Sequence, residues 1–240
     1  MKFMIVLLLT FVSITGCSSS KSYRDASRES MGIAVPAAEQ NEAIFQVYIA
    51  RAFSWRGNFA THPWVAWKRP DDSSYTVAQV TGWRVKRGLP SVSVTQDLPD
   101  RRWFDNEAEI IDELKGEEAL KVIAHVEKLI ENYPYSDVYT LWPGPNSNTF
   151  IAYLIRHTPE LKIELPPHAI GKDYLGHTRF AAMSPAGTGL QLSAWGVLGL
   201  TLGLHEGIEV NILSMNFGLD FWTPALKLPF VGRLGFKDRS

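Results

Sequence analysis

The stretch Pro143-Gly144-Pro145-Asn146-Ser147-Asn148-Thr149-Phe150 decides how this chain reads, because it joins a stiff turn to the start of a helix. Each proline fixes its own φ and restricts the residue before it, so Trp142 to Pro145 is expected as an extended turn. Beyond it, Phe150, Ile151, Leu154 and Ile155 recur at helical spacing, which predicts a helix over 148–157. Asn146 or Ser147 is placed to supply an oxygen to the free amides of its first turn. His157 suits the negative end of the helix dipole, and Pro159 prevents much continuation. Ser147 therefore sits where N–H groups and a partial positive charge converge, a field that an oxyanion or a nucleophile can use. Capping alone accounts for the same pattern, with Ser147 as the N-cap and nothing more.

Upstream, three segments are rich in β-branched and aromatic residues: 44–53, 64–67 and 75–85. Arg56-Gly57-Asn58 and Arg69-Pro70-Asp71-Asp72 separate them as turns, so they are expected as consecutive antiparallel strands. His62 stands at the entrance of the second. Segment 103–114 reads equally as helix or strand. After Gly116, residues 117–132 carry an apolar face and acidic residues in the first turn, the marks of an amphipathic helix.

Downstream of Pro159, residues 161–165 read as a short strand, followed by a polar loop that holds His168 and Asp173. Residues 180–204 carry no charge, yet Pro185, Gly187 and Gly189 make a membrane-spanning helix a poor reading. Leu198, Leu200, Leu202 and Leu204 alternate with smaller residues as in a strand, His205-Glu206-Gly207 turns the chain, and Ile208, Val210 and Ile212 return. The alternation changes phase after Ile212, which predicts a bulge or break there. This C-terminal hairpin is expected to pack on the core; the other course is to lie against lipid.

The chain has 240 residues, 45% hydrophobic and 20% charged, with a formal net charge of -1. That is enough for a substantial core, and the scattered Lys and Arg give no footprint for nucleic acid. At the N-terminus, Lys2 precedes an apolar run over 3–14 that ends in Thr15-Gly16-Cys17, a secretion signal too short for a permanent membrane span. Cys17 is the only cysteine, so no disulfide or cysteine-based metal site remains. The run resembles a bacterial lipoprotein signal, and the resemblance implies cleavage before Cys17 and its lipidation. Ser18 rather than Asp after the cysteine implies the outer membrane, on its periplasmic face. Residues 1–16 are then the signal peptide and 17–43 a lipidated tether, with a core over 44–180 and a β-hairpin extension over 181–240.

A serine nucleophile needs a base, and His62 at a strand mouth is the best placed, with Gln79 on the next strand to orient it. His62 before an aromatic-rich strand, and Tyr139 ahead of Asn146-Ser147-Asn148-Thr149-Phe150, resemble the circularly permuted papain-like group that includes NlpC/P60 and lecithin-retinol acyltransferase-like members. The resemblance implies an α+β fold, an antiparallel sheet packed on helices, with the C-terminal β extension added. Position 147 departs from that group, whose nucleophile is a cysteine. The Trp-Pro-Gly-Pro-Asn-Ser-Asn-Thr-Phe segment is also similar to a bacterial family of unknown function (domain of unknown function 3750), which brings no activity with it.

Two functions follow as expectations. One is a hydrolase or acyltransferase in which Ser147 attacks, His62 shuttles the proton and Gln79 orients it, on amide or ester bonds of envelope lipids or peptidoglycan peptides. The other is an inactive binding or scaffolding lipoprotein that keeps the cleft. Trp64, Trp142, Asn146 and Asn148 are expected to line it. No cofactor is called for, and no metal, because the histidines and carboxylates lack a spacing such as His-Glu-x-x-His.

Overall fold

The computed structural model describes residues 22–236; the expected signal peptide 1–16 and Cys17 lie outside them. The fold is α+β, with two antiparallel sheets and a few helices. The first sheet is built from β1 (Ile44–Arg51), β2 (Thr61–Lys68), β3 (Thr76–Val80), β4 (Val92–Gln96) and β5 (Ala108–Lys115), in the order β4-β3-β2-β1-β5. β1 and β2 pair over their full length, from Ile44 opposite Lys68 to Arg51 opposite Thr61.

Both faces of these central strands are covered, which is why their sequences are largely apolar without a strict alternation. On one face, Phe45, Val47, Val65 and Trp67 pack with Ile123 of α2 (Gly116–Glu131) and with Ile151 and Leu154 of α3 (Ser147–His157). On the other, Tyr48, Trp64 and Ala66 pack with Trp103 and Met31.

The three expected strands form, but the third ends at Val80. The chain turns there into the short α1 (Gly82–Val85), where a Cβ on Gly82 would lie 2.6 Å from the Tyr139 ring. The ambiguous segment resolves as β5. β4 has no counterpart among the expected strands, being an edge strand of mixed polarity. Residues 161–165 are not a strand: Leu161, Ile163 and Leu165 are buried, but they alternate along an irregular segment with no ladder partner among the described residues.

The described part of the expected tether lies against the loop that precedes β5. Buried Asp100 accepts from Ser30 Oγ at 2.8 Å and from the amides of Ile33 and Ala34 at 2.8 and 3.2 Å.

The C-terminal extension is larger than the expected hairpin. It is a seven-stranded meander of β6 (Ala181–Met183), β7 (Gly189–Ala194), β8 (Leu198–Gly203), β9 (Gly207–Ile212), β10 (Met215–Asp220), β11 (Ala225–Leu228) and β12 (Gly232–Gly235). The phase change after Ile212 is a turn rather than a bulge. Leu213 and Ser214, with φ of 54° and 62°, close a two-residue hairpin that restarts the alternation.

The expectation that this extension packs its leucines on the core is reversed. Leu190, Leu202, Ile208, Leu219, Leu226 and Leu234 stand in one cross-strand row, and every one of them is exposed. The row behind them, Gln191, Thr201, Glu209, Lys227 and Arg233, faces inward, and all but Arg233 are buried.

The polar face is inward because charged residues of the preceding loop meet it. Lys172 Nζ lies 2.7 Å from Glu209 Oε2 and 3.6 Å from Glu164 Oε1, and Lys227 Nζ pairs with Glu164 and, at 3.3 Å, with Glu209 Oε1. All four side chains are withdrawn from water. Burial alone would raise the Glu209 carboxyl, but the two lysines and a hydrogen bond with Glu164 pull it down to about 2. Burial and the Glu209 charge push Glu164 the other way. Beside this quartet, the Asp173 carboxylate accepts from Gln191 at 2.7 Å, Asn211 at 2.9 Å and Asn216 at 2.8 Å. Among the described residues no helix is long and apolar enough to cross a membrane.

Replacing one member of a buried ion cluster leaves the others short of a counter-charge. Lys172→Met should therefore lower the unfolding free energy by about 3–5 kcal/mol in urea titrations of the full chain. A loss below about 1 kcal/mol would show that water reaches the cluster.

Candidate functional site

α3 begins where the Pro-Gly-Pro turn ends. Its N-cap is Asn146, not Ser147: Asn146 Oδ1 accepts from the amides of Asn148 at 2.9 Å and Thr149 at 3.2 Å. Thr149 Oγ1 accepts in return from the Asn146 amide at 3.1 Å, completing a capping box. The Asn146 side-chain amide donates to the carbonyls of Leu141 and Ile170, both at 3.0 Å. Gly171, at φ +102°, lets this amide in, since a Cβ there would overlap it.

Asn148 is bound just as fully. Its Nδ2 donates to Thr61 O at 3.2 Å and Ile170 O at 2.9 Å, while Thr61 Oγ1 donates to Asn148 Oδ1 at 3.3 Å. Asn146, Asn148 and Thr149 thus stitch α3 to β2 and to loop 170–173. Ser147 is left over: it is 4% exposed, and its hydroxyl makes no hydrogen bond among the described residues.

The structure joins His62 to Gln79, with Nε2 3.0 Å from Gln79 Oε1. That oxygen can only accept, so Nε2 carries the proton and Nδ1 is the basic nitrogen. The His62 ring stacks on Trp103 at a centroid distance of 3.6 Å, with planes 6° apart. Burial pushes this imidazole down to about 4, and the Gln79 bond offsets only part of the shift.

His62 and Ser147 are not brought together. Thr61 points toward α3, where it meets Asn148, so the next residue along the strand points away. His62 accordingly lies on the Trp64 and Trp103 side of the first sheet, and α3 covers the opposite side.

The residues expected to line a groove are equally divided. Trp64 is a core residue, 2% exposed, stacked on Tyr48 and donating to Pro99 O at 2.7 Å. Trp142 is half-exposed and donates to Leu213 O at 3.3 Å, against the second sheet. Among the described residues no group of three or more His, Cys, Asp or Glu side chains is arranged to hold a metal ion.

An open polar cleft lies elsewhere, at the end of β1. It measures about 410 Å³ and is lined by Arg51, Ser54, Gly57, Asn58 and Asn106. Arg51 donates to Phe230 O at 3.0 Å and to Gly57 O at 3.5 Å, and it has no carboxylate partner among the described residues. Sequence reading passes over it because its residues come from a strand end and two loops, with no periodic signal.

The class these features define is a two-sheet α+β chain with a saturated helix cap at Asn146 and a histidine, His62, bound to Gln79 on the other side of the first sheet. The comparisons give the family: its model, described as Protein of unknown function (DUF3750), matches residues 42–174, more than half of the chain, and the chain belongs to it. None of the curated proteins and none of the solved structures compared with the chain matches it.

Two measurements follow from this geometry. Asn146→Ala removes the cap together with its side-chain bonds to the carbonyls of Leu141 and Ile170, so it should cost about 2–3 kcal/mol of stability, whereas Ser147→Ala should cost under about 1 kcal/mol. Equal losses would return the cap to Ser147.

The second concerns pH. His62 has a folded value of about 4 against about 6.5 when unfolded, so its contribution is full above pH 6.5 and is lost as pH falls toward 4. His62→Gln, which cannot titrate, should flatten the fall in stability over that window by roughly 3 kcal/mol.

Proposed function

We propose that this protein is a non-enzymatic binding or scaffolding lipoprotein of the bacterial envelope, with the layer arrangement of a permuted papain-like domain and without its reaction. α3 laid across β2 and β3, with its N-terminus beside the start of β2, supports the papain-like relation. The observation that carries the loss of reaction is the side of β2 from which His62 projects. A general base must come within hydrogen-bond reach of the hydroxyl it activates, directly or through one water. Here the sheet stands between the imidazole and Ser147, and an imidazole held near 4 is also a weak base at neutral pH.

The ligand class follows from the cleft rather than from Ser147. A guanidinium without a carboxylate partner, with hydroxyl and amide groups around it, suits a carboxylate or phosphate. Envelope lipid headgroups and peptidoglycan peptides both present such groups. The lipid anchor at Cys17 would hold the domain where they are found.

Activity labelling tests the reading. The full chain, treated with a fluorophosphonate probe, should show no label at position 147, and Ser147→Cys should show ordinary thiol reactivity that His62→Gln leaves unchanged. Label that disappears in Ser147→Ala, or a thiolate in the Ser147→Cys variant that depends on His62, would replace this reading with the Ser/His enzyme.

A further inference from the structure

We infer that the outward face of the second sheet lies on the hydrocarbon of a lipid bilayer, as a monotopic surface that engages one leaflet. The face is uniform. Besides the row from Leu190 to Leu234, the register aligns Leu192, Leu200, Val210 and Phe217, and then Ala194, Leu198, Ile212 and Met215. No charged residue interrupts these rows. Seven strands spaced about 4.8 Å apart, with 35 residues among them at about 3.3 Å each, give on the order of 550 Å² of projected area. That is at the upper end of what monomers leave apolar and exposed.

A soluble sheet that covers a core points its apolar residues inward; this one points its ionised residues inward and its leucines out. Apolar outside with polar inside is the pattern of strands that meet lipid. The strand ends carry exposed aromatic residues, Trp195 and Phe230 at one end of the sheet and Phe221 and Trp222 at the other. Aromatic rings at those positions sit at the level of lipid headgroups. A groove of about 350 Å³ opens on the face beside Leu204, Ile208, Phe221 and Trp222, with apolar walls suited to an acyl chain.

Strand length sets the depth. Six residues reach about 20 Å, short of the nine to eleven needed to span a bilayer, so the sheet rests broadside in one leaflet. Its two edges, β6 and β12, are only three and four residues long, which limits the unpaired backbone to be kept at the headgroups.

With Cys17 acylated, as the proposed function has it, the course of the chain brings a membrane to the same side. Ser22, the first described residue, is five residues from Cys17, a reach of at most about 18 Å. Ser27 is bonded to Asp105 at 2.8 Å, the neighbouring Phe104 packs on Phe53, and Arg51 donates to Phe230 on the β11–β12 turn. From there the exposed aromatic surface continues, Phe230 onto Phe59 at 5.2 Å and Phe59 onto Trp55 at 6.2 Å. A second copy of the chain would satisfy the leucines, but not a rim of aromatics set at both strand ends.

Spin labelling tests this with the full chain in vesicles of phosphatidylethanolamine and phosphatidylglycerol. Labels are placed at Leu202→Cys, Val210→Cys and Leu219→Cys, with Glu131→Cys at the exposed end of α2 as the aqueous control. The parent, whose one cysteine is Cys17, supplies the background. At the three sheet positions, collisions with oxygen should exceed those with a water-soluble nickel complex severalfold, and at Glu131 the order should reverse. Nickel access at the sheet would overturn the inference. So would shielding from both reagents, which would put a second copy or another segment of this chain on the face. The readout is independent of the anchor, whose lipidation is read by mass. A lipidated chain with a water-exposed sheet sinks this inference alone, and an unlipidated chain with an oxygen-exposed sheet leaves it standing.

Discussion

Lys172, Glu209, Glu164 and Lys227, all withdrawn from water, join the two halves of the molecule. Taking two lysines and two glutamates out of solvent carries a large desolvation cost, and their mutual attraction offsets it only if the geometry is close and the remaining valences are met. The contacts are close, and the neighbouring polar groups meet part of the remaining valences. Lys227 also donates to Glu206 O at 2.7 Å, and Asp173 next door is surrounded by three side-chain amides. Such a cluster is directional where an apolar interface is not. It fixes which face of the second sheet turns inward and at what register, because a slip of one residue would point Glu209 and Lys227 away from their partners.

This cluster also determines what the second sheet presents. A sheet has two faces, and committing the polar one to the loop at 164–173 leaves the apolar one outside. The placement of half-buried Arg156 follows the same logic: its guanidinium donates to Gln191 Oε1 at 2.6 Å, so α3 too reaches the second sheet through a polar contact. The first sheet is organised oppositely, with apolar packing on both faces of its central strands. Two adjoining sheets therefore obey opposite rules, and the ionised loop between them is the reason.

The extent to which the sequence shows this differs from element to element. β1, β2, α2 and α3 are legible because strand composition, turn residues and helical spacing agree locally, as foldable sequences require. The direction of His62 is not, because a central strand buried on both faces shows no alternation: His62, Trp64 and Ala66 look no more or less interior than Thr61, Val65 and Trp67. In β8 and β9 the alternation is plain, and only its sense misleads. The usual inference that leucines face the core fails there because Glu209 and Lys227 find their partners 37 and 63 residues back in the chain, where no local pattern announces them. The cap at Asn146 is legible as one of two choices, and the carbonyls of Leu141 and Ile170 decide between them.

The cap at the start of α3 has a mechanical side. Asn146 and Asn148 both grip the carbonyl of Ile170, and Thr149 donates to that of Gly171 at 2.9 Å. Lys172 and Asp173, which hold the second sheet, are the next two residues. A pull on that sheet therefore passes through two peptide units into the first turn of α3, and through Asn148 into β2, without crossing a flexible joint. One run of hydrogen bonds thus joins sheet, loop, helix and strand, and Arg51, which donates to Phe230 O, ties its cleft to the second sheet as well.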